Sequence, residues 1–188
     1  MGFPKSLLES GAGFVLERIA AAAGEVAEEA VLVGDGPAPS GLSGRERLSE
    51  VPGVEGPLGG LLAAFRRQPE ASWIALSCDL PFVSAEALRW LLAQRTAGCM
   101  AVLPYLDSPD TPEPLLAFYG PTAGARLEQA AGRGERSIRR IFAGEAVVSP
   151  QVPEHLRKAW TNVNTPQDWS AALRELRTVE GKFHDISR

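Results

Sequence analysis

Residues 73–82 read Trp-Ile-Ala-Leu-Ser-Cys-Asp-Leu-Pro-Phe, a short, nearly unbroken apolar run that ends in one carboxylate, Asp79, and is stopped by Pro81. A run of that length and greasiness is what a strand covered by helices on both faces requires. Its carboxyl end is the place where ligands settle in open α/β sheets. Two readings of Asp79 stand at this point. It is either a metal ligand placed to hold an ion against phosphates, or a turn residue that caps the next helix.

The rest of the chain supports an α/β reading. Residues 13–23 place Phe14, Val15, Leu16, Ile19 and Ala22 at helical intervals, and 30–34 form a short apolar strand. Residues 35–44 are rich in Gly, Pro and Ser and read as a loop. Within 50–60, Gly56, Gly59 and Gly60 cluster where a helix over 58–67 begins, and this stretch is either a loop that packs against a nucleotide or an ordinary glycine-rich turn. Ser84 is positioned to cap an amphipathic helix carrying Leu88, Leu91 and Leu92. Further strands fall at 100–103, 115–119 and 146–148, with a loop rich in Asp and Pro at 105–114. This alternation predicts a three-layer, Rossmann-like α/β domain with a mainly parallel sheet.

Four arginines cluster at 133–140 beside Gly132 and Gly134. Arg133 and Arg136 are read equally as anion binders or solvated cations, and Arg139 and Arg140 as a solvated helix face. Ser137 is predicted to start a short helix. Thr165, Pro166 and Asp168 form a helix-start signal. Asn162 and Asn164 alternate just before it, so both amides point to one side. Beyond Arg177 the sequence turns mixed and polar and predicts a frayed tail over 178–188.

A length of 188 residues suits one domain with a proper core. The 19 Lys and Arg against 23 Asp and Glu give a net charge of -4, which argues against nucleic acid or an anionic membrane as partner. Cys78 and Cys99 are too few for a disulfide framework, the start lacks a secretory signal, and the apolar stretches are broken by charge. The expectation is a soluble cytoplasmic protein acting on small molecules. His155 and His184 sit in no cluster with metal-ligand spacing.

Six stretches occur in a telling order: 1–5 (Met-Gly-Phe-Pro-Lys), 56–60 (Gly-Pro-Leu-Gly-Gly), 78–82 (Cys-Asp-Leu-Pro-Phe), 114–117 (Pro-Leu-Leu-Ala), 134–137 (Gly-Glu-Arg-Ser) and 162–166 (Asn-Val-Asn-Thr-Pro). Together they resemble the molybdenum cofactor guanylyltransferases, within the MobA-like nucleotidyltransferase family. The resemblance implies transfer of GMP from GTP to molybdopterin or its molybdenum-bearing form, with Mg²⁺ as cofactor and pyrophosphate as by-product. It implies a triphosphate-neutralising and catalytic role for Lys5 and a metal-binding and catalytic role for Asp79. Gly56, Pro57, Leu58 and Gly59 would lie along the nucleotide, with Glu50 as the acid that reads guanine. Asn162 and Asn164 would bind substrate, and Arg136 joins them as the cation for its phosphate. Transient contact with molybdoenzymes or cofactor-biosynthesis proteins is a further implication.

The resemblance also implies a single nucleotidyltransferase domain over 1–177 that is incomplete at its N-terminus. The family opens with an apolar strand and a Leu-x-Gly-Gly loop that runs into the lysine, whereas this sequence starts at Met1. The expectations are therefore a longer natural gene product, weak GTP binding by residues 1–188, and two strands with unpaired edges. Two other readings stay open: a relative that transfers another nucleotide such as CMP, and a non-catalytic α/β module.

Overall fold

The computed structural model describes residues 4–184 apart from 12 and 145, with side chains as far as 178. Residues 1–3 of the first motif and 185–188 of the predicted tail lie outside the described residues.

A 3-10 turn, Lys5–Leu7, leads into the two-residue strands β1 (Glu9–Ser10) and β2 (Gly13–Phe14), which pair antiparallel with Glu9 opposite Phe14. The helix predicted from Gly13 therefore starts at Val15, because Gly13 and Phe14 are taken by the hairpin. This helix, α1 (Val15–Gly24), buries Val15, Ile19, Ala20, Ala22 and Ala23 on one face. Next, β3 (Leu32–Val33) pairs parallel with β4 (Arg47–Leu48), a strand that the glycine- and proline-rich sequence around it conceals.

The helix α2 (Pro57–Arg67) has proline at its first position and basic residues in its last turn, both favourable for helix termini. After β5 (Trp73–Ala75) comes α3 (Ala85–Ala93), then β6 (Ala101–Val102) and β7 (Ala117–Tyr119). The chain ends through α4 (Ala123–Gly132), α5 (Ile138–Ile141), β8 (Val147–Val148), a 3-10 stretch over Glu154–Trp160, and α6 (Pro166–His184). Helix α6 runs past Arg177, where the sequence predicts a frayed tail.

The larger sheet has the order β5-β7-β6-β8. Strand β7 is antiparallel to both β5 and β6, and β8 is parallel to β6, so three strands share a direction and β7 opposes them. The segment before β7 contains no helix, and a parallel crossover needs a dozen or more residues, usually helical. Reversal is the economical return. The β1–β2 pair, the β3–β4 pair and the four strands β5 to β8 form three separate sheets among the described residues.

Alternate side chains enter opposite layers, as the pleat requires. Ala101, Leu103, Ala117 and Tyr119 pack with Leu58, Leu62, Phe65 and Leu127 of α2 and α4. Val102 and Phe118 point the other way, onto Leu91 of α3. Trp73 and Ala75 join the first layer, and Ile74 and Leu76 join the second. The three-layer prediction thus holds. However, residues 73–79 are only partly buried, because β5 lies at the edge of its sheet.

Just before β7, Leu116 has φ +63 and is fully buried. A left-handed non-glycine residue costs roughly 1–2 kcal/mol. Its backbone explains why the strain is held: its N–H donates to the Ala75 carbonyl at 2.7 Å, and its carbonyl accepts from Trp160 Nε1 at 3.2 Å.

Candidate active site

The segment after β5 turns sharply, with the Leu80 N–H donating to the Ser77 carbonyl and the Val83 N–H to the Leu80 carbonyl, both at 3.3 Å. Helix α3 is capped by Ser84, whose Oγ accepts the Ala87 N–H at 3.2 Å. Asp79 is therefore not the cap of that helix, and its carboxylate is engaged elsewhere.

Lys5 Nζ donates to Asp79 Oδ2 at 3.0 Å and to Asn164 Oδ1 at 2.6 Å. Three residues far apart in the sequence thus meet at one ammonium group. Asp79 keeps 14% of its side chain exposed and Lys5 keeps 32%, so the pair is partly shielded from water. The second carboxylate oxygen, Asp79 Oδ1, is buried without a hydrogen-bond partner. An ionised oxygen in that state lacks the partner that burial normally demands, and a cation supplies it. Among the described residues there is no group of three or more His, Cys, Asp or Glu able to hold a metal. One carboxylate with an orphaned oxygen fits an ion such as Mg²⁺, which keeps waters and takes its other ligands from substrate phosphates.

The Asn162–Asn164 step is tied to this cluster through its backbone. Val163, 1% exposed, donates its N–H to the Asp79 carbonyl at 2.9 Å. Asp168 Oδ2 accepts the N–H groups of Asn164 at 3.0 Å and Thr165 at 2.8 Å, while Thr165 Oγ1 accepts the Asp168 N–H at 3.1 Å. This reciprocal cap starts α6. The Asn164 and Thr165 N–H groups and the Thr165 hydroxyl, with lesser help from Lys5, hold the Asp168 carboxyl below the usual aspartate range. Asn162 is exposed beside the cluster in sequence, and no hydrogen bond joins it to Lys5 among the described residues.

A second group gathers where β3, β4 and α2 meet. The Glu50 side chain lies against both Gly34 and Gly59. Ser49 Oγ donates to Asp35 Oδ1 at 3.0 Å, and the Arg47 guanidinium donates to the Gly34 carbonyl at 2.9 Å. Gly56 enters α2 with φ +73, a left-handed conformation that suits glycine. A Cβ on Gly59 would overlap the Val54 carbonyl oxygen. Local backbone geometry therefore accounts for both glycines. Pro57 and Leu58 open the helix, with Leu58 fully buried. No described hydrogen bond or ion pair joins this group to Lys5.

Arg136 is exposed in the loop between α4 and α5, where the Glu135 carboxylate accepts the N–H groups of Arg136 and Ser137, each at 2.8 Å. Arg139, which the sequence reads as part of a solvated helix face, is exposed and also donates to the Pro112 carbonyl at 2.6 Å. Arg157 donates to the Leu106 carbonyl at 2.7 Å and pairs with Asp107. Two arginines thus fasten the acidic 105–113 loop, a role that nothing in their local sequence signals. Burial raises the pKa of Glu113 in that loop, although Arg139 opposes the shift. Burial, followed by the Asp79 charge, also raises that of the Cys78 thiol, which therefore stays protonated and is no nucleophile.

The family model for the MobA-like NTP transferase domain matches residues 1–157. The chain is 30% identical over 177 residues to a probable molybdenum cofactor guanylyltransferase of Pelotomaculum thermopropionicum, covering 89% of this chain and 83% of that protein. It is 31% identical over 112 residues to a molybdenum cofactor guanylyltransferase of Pseudomonas putida, a match to 60% of this chain that spans only 57% of that protein's length. Among solved structures it resembles molybdopterin-guanine dinucleotide biosynthesis protein A from Archaeoglobus fulgidus, with TM-score 0.76, 27% identity, and coverage of 94% of this chain and 92% of that one. With more than half of its length matched by the family model and a 30% identical relative covered over 83% of its length, the chain belongs to the MobA-like NTP transferase family.

Proposed function

We propose that the chain is a Mg²⁺-dependent guanylyltransferase that moves GMP from GTP to the phosphate of molybdopterin or its molybdenum-bearing form. An acceptor phosphate oxygen bonds to the α-phosphorus as the bond to pyrophosphate breaks. The observation that carries this reading is the meeting of Lys5, Asp79 and Asn164, with Asp79 Oδ1 buried and unpartnered. Such transfer depends on positioning and charge neutralisation and asks for little covalent help from the protein.

In this reading Asp79 holds the magnesium ion, which neutralises phosphate charge when bound. Lys5 acts as a mobile point charge toward the triphosphate. The Asn164 amide, and Asn162 beside it, orient phosphate or pterin groups. Glu50 and the backbone of Gly56, Pro57, Leu58 and Gly59 receive the guanosine end, and Arg136 meets the acceptor phosphate. The names of the relatives support both the nucleotide and the acceptor. No helix among the described residues is long and apolar enough to cross a membrane. The cytoplasm, where GTP is abundant, is the proposed compartment. Molybdoenzymes or cofactor-biosynthesis proteins are the proposed transient partners.

Calorimetric titration with GTP or CTP in the presence of Mg²⁺, on residues 1–188 and on a form extended upstream, tests the reading. Heat with GTP that disappears in Asp79→Ala supports it. Heat with CTP alone reassigns the nucleotide. Silence of both forms toward either nucleotide overturns the reading in favour of a non-catalytic module.

A further inference from the structure

Asp168 has so far served only as a helix-starting residue, but its contacts reach further. Its Oδ2 accepts two consecutive backbone N–H groups, those of Asn164 and Thr165. The residue before them, Val163, donates its N–H to the Asp79 carbonyl. The backbone of 163–165 is thus fixed at three successive N–H groups. Between these fixed points the Asn164 side chain leaves the main chain and presents Oδ1 to Lys5. Asn164 is exposed, so no packing around its amide sets that direction.

We propose that Asp168 is a positioning residue: by holding the Asn164 backbone it aims the Asn164 amide at Lys5, making the start of α6 part of the phosphate-binding cluster. The contribution to catalysis rests on the function proposed above, whereas the positioning itself does not. Helix capping and amide positioning share Asp168 Oδ2, whereas the bond to Thr165 Oγ1 belongs to the cap and does not touch Asn164, which allows the two roles to be separated. Thr165 Oγ1 accepts the Asp168 N–H and its hydroxyl also supports the Asp168 carboxylate, but no described hydrogen bond joins it to Asn164. Asp168 Oδ2 serves both the helix and Asn164. The Lys5 charge also contributes to the lowered pKa of Asp168, consistent with the proximity of the two groups.

The test compares Asp168→Ala, Asp168→Asn and Thr165→Ala in the ligand-free protein, reading the ¹⁵N-labelled side-chain amide of Asn164 by NMR and identifying that signal by its loss in Asn164→Ala. Melting temperature monitors the helix. Asp168→Ala and Thr165→Ala should both lower the melting temperature, but only Asp168→Ala should move the Asn164 signal toward that of a free amide. Asp168→Asn keeps an acceptor oxygen and should restore the signal toward its native position. With Mg²⁺ and GTP, Asp168→Ala should weaken binding about 10-fold, the size typical of residues that orient a ligand-binding group, while Thr165→Ala stays near wild type. An unmoved Asn164 signal in Asp168→Ala, or equal displacement in Asp168→Ala and Thr165→Ala, overturns the proposal. A wild-type protein that binds no GTP counts against the proposed function, and the Asn164 signal still decides the positioning role.

Discussion

The backbone carbonyl of Asp79 accepts the N–H of Val163 at 2.9 Å, so the turn that follows β5 is pinned to the step that carries Asn162 and Asn164. This bond holds two segments of the cluster together independently of the Asp79 carboxylate. Proline at 163 removes the donor, while alanine keeps it. Val163→Pro should abolish GTP binding as Asp79→Ala does, whereas Val163→Ala should bind near normally and cost about 2 kcal/mol in stability for the lost methyl groups of a buried side chain. Calorimetry and urea unfolding of both variants check this.

Lys5 already neutralises Asp79, so it should oppose a metal ion in the absence of nucleotide and assist binding once triphosphate is present. Lys5→Ala is therefore expected to tighten Mn²⁺ binding without nucleotide, measured by electron paramagnetic resonance, and to lower kcat/KM by about 10²-fold, the scale of one lost charge-stabilising donor. Weaker Mn²⁺ binding in the variant would refute the competition.

Gly59 and Gly132 should respond oppositely to alanine. A Cβ at Gly59 meets the Val54 carbonyl, and something in the backbone must shift, at a cost of about 1–3 kcal/mol. At Gly132, the last residue of α4, a Cβ meets nothing within 4 Å. There alanine should stabilise by about 0.4–1 kcal/mol by restricting the unfolded chain. Urea midpoints that shift in the same direction would contradict this.

Leu116 offers an inverted ranking. Alanine at this fully buried position should cost about 2–5 kcal/mol through the lost side chain. Glycine loses one methyl more but relieves the left-handed backbone, so Leu116→Gly should be no less stable than Leu116→Ala. The ordering is read directly from equilibrium unfolding.

Asp168 should leave a signature on acid stability. Its carboxyl lies below its ordinary value in the folded chain, chiefly through the Asn164 and Thr165 N–H groups, whereas an unfolded aspartate titrates at about 3.9. Its contribution is therefore complete above that unfolded value and is lost as the pH falls through the lower folded one. Asp168→Asn should flatten this part of the stability curve and leave the neutral region nearly parallel to wild type, as measured by urea midpoints across the acid range.

Local rules carried much of this molecule. The apolar runs at 73–78 and 115–119, which become the shorter strands β5 and β7, the caps at Ser84 and Ser137, and the Thr165–Asp168 start of α6 all follow from nearest-neighbour chemistry. Strand direction was less accessible, although the helix-free stretch before β7 held a clue to its reversal. Arg139 is exposed on its helix as expected, but its bond to the Pro112 carbonyl was not legible, because that partner lies 27 positions away and has no sequence signature.

Sequence by itself determined most of the alternation of helices and strands, the capped starts of α3, α5 and α6, and the ordered motifs that mark the family. Tertiary structure alone removed the capping reading of Asp79, by giving the α3 cap to Ser84, and brought Lys5 and Asn164 together at the carboxylate. The physical reason is range. Caps and periodicity are settled within one or two turns of chain, whereas the surroundings of a charge depend on which distant segments the packed layers bring against it.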